Sequence, residues 1–212
     1  MKALADICEQ DLRYSSRVVT EFTTPEHPFL LPQAALVPWT KEHHYEIVRK
    51  LALSSYVPEV IRTQFDVALN TAIYALFCWE LWDVAAHKAV DCFELALREA
   101  MKSNTKDRLA AIIDQAASRD ILTEQEKIAG HLLRKWRNEL SHAYTGTLGI
   151  QAHILIEGCR TLITNVSNRA GSVRTSQKSG HAEQAYSLSL SGYSLHILNE
   201  LSSALGNLGD AV

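Results

Sequence analysis

Apolar residues recur three and four apart through most of residues 41–166, the spacing of one face of a helix, and they do so in separable blocks. Thr40 is placed to cap a first short helix running to about Tyr56, with Tyr45, Val48, Leu51 and Ala52 at helical spacing. Pro58 suits the first turn of the next helix. That helix carries Val60, Phe65, Val67, Ala68, Ile73, Tyr74 and Phe77 around much of its circumference, which predicts that it is mostly buried. After a tight bend near Trp79–Trp82, Asp83 can cap a helix from Val84 to Met101 whose inner face holds Ala86, Ala89, Val90, Phe93, Ala96 and Leu97. A shorter helix spans Arg108 to Ala117, and Thr123-Glu124-Gln125-Glu126 has the form of a capping box that opens another. Thr145-Gly146-Thr147-Leu148-Gly149 interrupts the pattern before Ile150 to Val166 resumes it. Four or five helices with short connections predict an all-α, up-and-down helical bundle over residues 41–168.

The flanks read differently. Pro25, Pro28, Pro32 and Pro38 forbid a long helix in residues 1–40, so an irregular N-terminal arm is expected. Arg17 to Phe22 suits a short strand, though no partner for it is evident. Residues 169–212 begin as a Ser-, Arg- and Gly-containing linker, and Leu195, Leu198, Leu201 and Leu205 make at most a weakly helical tail.

Composition narrows the partners. The 212 residues are 47% hydrophobic, enough for a real core, and the formal net charge of -3 gives no overall basic footprint. RNA would have to be met by a local basic patch. The four cysteines, Cys8, Cys78, Cys92 and Cys159, form no CxxC pair and suit a reduced, cytoplasmic protein. The first residues turn acidic too early for a signal peptide, and the apolar run around Ala72–Trp79 is too short to span a membrane, so no membrane partner is expected.

Candidate chemistry gathers in Arg134-Lys135-Trp136-Arg137-Asn138-Glu139-Leu140-Ser141-His142-Ala143-Tyr144. At about 100° per residue, Arg134, Arg137, Asn138 and Ser141 share one side with His142 at its edge. Ile128, Leu132, Leu133, Trp136 and Leu140 share the other, so the polar stripe is expected to face outward. Asn138 precedes His142 by four residues and can orient its imidazole. A guanidinium beside an imidazole can grip a phosphate while a proton moves to or from a neighbouring hydroxyl. Spacing alone favours the simpler account, an Arg and a His on a solvated helix end with His142 meeting the helix dipole. Asp91, Glu94 and Arg98 form a charged stripe that is either a solvated face or, through Glu94, a support for the central stretch. Nine histidines invite a metal, but no Cys or carboxylate cluster has ligand spacing, and no glycine-rich phosphate loop or nucleophile elbow is present. No metal and no cofactor is expected.

Arg137-Asn138-Glu139-Leu140-Ser141-His142 resembles the RNxxxH signature of the HEPN superfamily of small helical bundles, and Phe93-Glu94-Leu95-Ala96-Leu97-Arg98 upstream has a similar flavour. The resemblance covers roughly Tyr56 to Val166. It implies a metal-independent endoribonuclease, acting as a homodimer in which two motifs meet in one cleft, with a toxin, phage-defence or stress role. By that likeness His142 would take the 2′-hydroxyl proton, Arg137 would stabilise charge on the phosphorus oxygens, and Asn138 would position either. Tyr144 extends the motif to Arg-x4-His-x-Tyr, similar to HEPN toxins paired with minimal nucleotidyltransferase antitoxins, where such a tyrosine is adenylylated. Glu94, Ser141 and Tyr144 are thus supporting or regulatory candidates, and an antitoxin is a candidate partner. Lys127, His131 and Arg134 are candidate RNA contacts, and Gly130 would let two such helices approach. The rival expectation is a catalytically silent HEPN module that binds a nucleotide or a partner protein.

Overall fold

In a computed structural model, residues 10–14, 18–23, 33–102, 107–141 and 152–178 are described. Among them are six helices: α1 (Lys41–Arg49), α2 (Glu59–Tyr74), α3 (Leu81–Met101), α4 (Leu109–Ser118), α5 (Glu124–Ser141) and α6 (Ala152–Lys178). They form the expected helical bundle, with the short α1 as the sixth member. No described helix is long and apolar enough to cross a membrane.

The bundle is built around α3, which packs against α2, α4, α5 and α6. Its sequence explains the central place. Trp82, Ala85, Ala86, Ala89, Val90, Cys92, Phe93, Ala96 and Leu97 are all buried, and they occupy more than one side of the helix. Four of these are alanines, which leave room for neighbouring helices to approach closely. Cys92 and Cys159 are buried in the same core as free thiols, and burial pushes the Cys92 thiol up to about 11. They pack there as small hydrophobes.

Local signals set several boundaries. The Thr40 hydroxyl accepts from the His43 amide at 3.2 Å and starts α1. At α5 the capping box closes in both directions: the Thr123 amide donates to Glu126 Oε2 at 2.8 Å, and the Glu126 amide donates to Thr123 Oγ1 at 3.2 Å. Other expectations need correction. Helix α1 stops at Arg49 rather than near Tyr56, and α3 starts at Leu81, with Asp83 in its first turn instead of at its cap. In α2, Phe65, Ala68 and Ala72 are buried, but Val60, Val67 and Tyr74 are exposed. The helix is covered on one face only, so apolar residues around its circumference do not signal full burial. Ile128 of α5, placed with the inner stripe from its spacing, is 53% exposed.

The two flanks are more ordered than the sequence suggested. Helix α6 runs through Lys178, past the expected linker boundary at residue 169. Arg169, at that boundary, is tied to the bundle. Its guanidinium donates to both oxygens of Glu126, at 2.6 and 3.0 Å, and to the Ile121 carbonyl at 2.9 Å, while Asn165 donates to Glu126 Oε1 at 2.7 Å. Burial pushes the Glu126 carboxyl up, but Arg169, the Thr123 amide and Asn165 outweigh it and hold the group below its usual range. The N-terminal arm is not wholly irregular either. Strand β1 (Val18–Thr23) pairs antiparallel with β2 (Gln33–Pro38), Val18 opposite Pro38, which supplies the partner that the sequence did not reveal.

Upstream of the hairpin the arm is tied to the corner between α2 and α3. The Asp11 amide donates to the Leu76 carbonyl at 2.8 Å, and Asp11 Oδ2 accepts from the Trp79 amide at 3.2 Å. The Tyr14 hydroxyl donates to the Ala75 carbonyl at 3.2 Å and accepts from Trp82 Nε1 at 2.6 Å. Its ring lies 4.8 Å from Trp79, 5.4 Å from Trp39 and 5.7 Å from His44, centre to centre. His44, fully buried among these rings, places Nε2 2.8 Å from the Ala72 carbonyl. That bond requires the proton on Nε2. Nδ1 is buried with no hydrogen-bond partner among the described residues.

Candidate functional site

Helix α5 is held against α3 and α4 by its inner face. Leu133 and Trp136 are buried, and Gly130 sits so close to the Phe93 ring that an added Cβ would lie 3.3 Å from it and 3.4 Å from Ile113 Cδ1. Gly130 therefore permits a close approach within the chain, not between two copies; its expected role at a dimer interface is corrected. Because Arg137 lies about 20° around the helix from Gly130, it too points towards α3, not away from the bundle as the outward-facing stripe implied.

On α3 the charged stripe meets it. Arg137 Nη2 lies 2.9 Å from Asp91 Oδ1, and Nη1 donates to Glu94 Oε2 at 3.0 Å. Glu94 accepts in turn from Arg98, at 2.6 Å from Nη2 and 3.1 Å from Nε, and Arg98 reaches the Asp107 carbonyl at 2.9 Å. His87, one turn before Asp91, places Nδ1 3.7 Å from Asp91 Oδ2, within ion-pair range. The Arg137 side chain is 29% exposed and that of Glu94 20%. Such half-buried pairs orient a guanidinium more than they stabilise the fold, a contribution of about 1 kcal/mol or less per pair.

Arg137 and Glu94 also line an open cleft of about 790 Å³, together with Arg134, Asn138, His87, Asp107 and Arg108. Three guanidiniums and two carboxylates line the cleft, and Asp91 beside Arg137 adds a third carboxylate, so its charge is mixed. Arg134 Nε is buried there without a hydrogen-bond partner among the described residues. A buried donor left unpaired costs roughly 1–3 kcal/mol.

Of the residues singled out from the sequence, Arg134, Arg137, Asn138 and Glu94 come together here. Lys127 and His131 do not line the cleft. Both turn to Asp114 of α4: Lys127 Nζ is 3.4 Å and His131 Nε2 3.2 Å from Asp114 Oδ1, and Lys127 also lies 3.8 Å from Glu124. His131 above all, through its hydrogen bond, and then Lys127 hold the Asp114 carboxyl below its usual range. Ser141 is the last residue of α5 but its side chain is not among those described, and His142 and Tyr144 lie outside the described residues. Sequence reasoning passed over His87, Asp107 and Arg108. His87 could have been found, since it continues the Asp91–Glu94–Arg98 stripe at a spacing of four. Asp107 and Arg108 come from the turn before α4, which no periodicity marks. Among the described residues, no group of three or more His, Cys, Asp or Glu is placed to hold a metal.

The fold and cleft define a helical bundle with a mixed-charge groove between α3, α5 and the start of α4. Set against known proteins, the chain matches no family model, no curated protein and no solved structure.

Proposed function

We propose that this protein is a metal-independent endoribonuclease of HEPN type. The reading begins from the Arg137-Asn138-Glu139-Leu140-Ser141-His142 motif. The observation that carries it beyond the motif is that Arg137, Asn138 and Arg134 open on one cleft, as a phosphate-gripping site requires. Glu94 supports it further, because its hydrogen bond orients the Arg137 guanidinium before any substrate arrives, with the Asp91 carboxylate in ion-pair range beside it. In the proposed reaction the RNA 2′-oxygen attacks the adjacent phosphorus as His142 takes its proton. Arg137 and Arg134 stabilise the charge on the non-bridging oxygens. The bond to the 5′-oxygen breaks, leaving a 2′,3′-cyclic phosphate and a 5′-hydroxyl.

In this proposal the enzyme works as a homodimer whose two motifs share a cleft, in a toxin, defence or stress role in the cytoplasm. Tyr144, by likeness to the toxins paired with nucleotidyltransferases, is the point at which an antitoxin would silence it. A second reading has an observation of its own. Arg137 already has two carboxylate partners, which suits a catalytically silent module whose cleft binds a nucleotide or a partner protein through Arg134 and Arg108. Purified protein incubated with end-labelled single-stranded RNA and excess chelator separates the two. The nuclease reading expects cleavage that Arg137→Ala and His142→Ala both reduce at least about 100-fold. Intact RNA, with retained binding of a nucleotide, favours the silent module.

A further inference from the structure

We propose that the tail of this chain, residues 197–212, forms a helix that docks on the exposed side of α2. Helix α2 turns Phe65, Ala68 and Ala72 to the core and packs against α3 and α1. Val60, Val67 and Tyr74 lie on the opposite side, 55%, 48% and 62% exposed, and no described element covers them. They stand seven apart, so they keep within about 40° of arc along about 21 Å of the helix. A narrow apolar seam at that spacing is what a second helix packs against. Leu12, Tyr45, Val84 and Ile128 are also exposed, but each stands singly on a separate element. Scattered apolar residues of that kind need no partner, whereas a stripe does.

Residues 179–212 lie outside the described residues, and three observations favour their last part as the occupant. The first is pattern. At about 100° per residue, Ile197, Leu198, Leu201, Leu205, Leu208 and Val212 fall within about 100° of arc, with Asn199, Glu200, Asn207 and Asp210 on the opposite side. A helix over this stretch would be about 24 Å long, close to the length of the stripe. Alone it would be marginal in water, because a helix this short draws its stability from packing its apolar face. The second is place. Towards its end α6 runs beside the start of α2, where Ala170 and Gly171 line a recess of about 90 Å³ with Tyr56, Pro58 and Ile61. The chain that continues from Lys178 therefore sets out about two turns past the Val60 end of the stripe. The third is reach. Residues 179–196 span up to about 60 Å when extended, well beyond the length of the stripe. A tether of that kind holds two faces at a millimolar effective concentration, an advantage that a separate molecule lacks.

Hydrogen exchange of the full chain, read by mass spectrometry, tests the docking. Amides of residues 198–208 should exchange at least about tenfold more slowly than in a free peptide of that sequence. Val60→Lys combined with Val67→Lys should return them to the free-peptide rate while the amides of α3 keep theirs, because neither valine belongs to the core. Leu201→Lys should abolish the slow exchange from the other side. It should also raise hydroxyl-radical labelling of Tyr74, which the docked tail would shield. The two variants, unfolded and refolded together, should both keep fast tails. Slow exchange regained in the tail that retains Leu201 would show docking between copies and overturn the inference. Fast exchange in the parent would overturn it as well, as would a tail that stays slow when α2 carries both lysines. Tyr74 labelling that Leu201→Lys leaves unchanged would do the same, and that result does not depend on how the α2 variant folds.

Discussion

His44 is a residue whose ionisation the fold disfavours. It is enclosed by Tyr14, Trp39 and Trp82, with one ring nitrogen bonded to the Ala72 carbonyl and the other without a hydrogen-bond partner among the described residues. Burial, the dominant cause, holds its pKa below the ordinary histidine value, against the raising effect of the backbone carbonyls. The sign of the pH dependence follows. Below about pH 6.5 the unfolded chain binds a proton at this position that the folded chain refuses, so stability falls as pH drops through that value towards the lower folded pKa. Urea midpoints from pH 7.5 down to pH 5 should therefore decline for the parent and decline less for His44→Gln; parallel slopes would show that His44 is not the group responsible. None of this was legible in the sequence, where His44 was one of nine histidines with nothing to single it out. A cage assembled from the arm, α1 and both sides of the α2–α3 corner has no local signature.

Among the elements, α6 extends past the boundary that composition suggested. The Ser- and Gly-containing sequence after Asn168 has the composition of a linker, yet α6 runs through Lys178, and Arg169 within it forks onto Glu126. Arg169→Ala would leave a largely buried carboxylate without its cation, and is expected to cost about 3 kcal/mol, read as a lowered urea midpoint with an unchanged slope. A change within a few tenths of a kcal/mol, the usual range for a surface substitution, would mean the pair adds no net stability. Elements with a local cause were legible: the Thr123–Glu126 box, the Thr40 cap, and the core positions of α3. Those set by distant partners were not. The pairing of β1 with β2 and the exposure of Val60 and Val67 depend on what lies opposite, and periodicity does not report that.

At the scale of the whole molecule, the candidate site is a seam between elements rather than a face of one helix. The sequence identified Arg134, Arg137 and Asn138 because they share a stripe, and left Glu94 as an alternative to a solvated face. It could not show that α5 turns this stripe partly inward, because the turn depends on Gly130 meeting Phe93. The cleft is consequently built from one chain on the side that is described, with Arg137 positioned by its own Asp91 and Glu94. A second copy, in the proposed dimer, would complete the site without having to orient this arginine. The most direct measurement of the central claim is cleavage, in excess chelator, of an RNA strand beside the same strand carrying one 2′-deoxynucleotide at the cut position. Attack by the 2′-hydroxyl predicts that the RNA is cut to a 2′,3′-cyclic phosphate and a 5′-hydroxyl while the deoxy linkage stays intact. Equal cutting of both strands, or products bearing a 5′-phosphate, would contradict it.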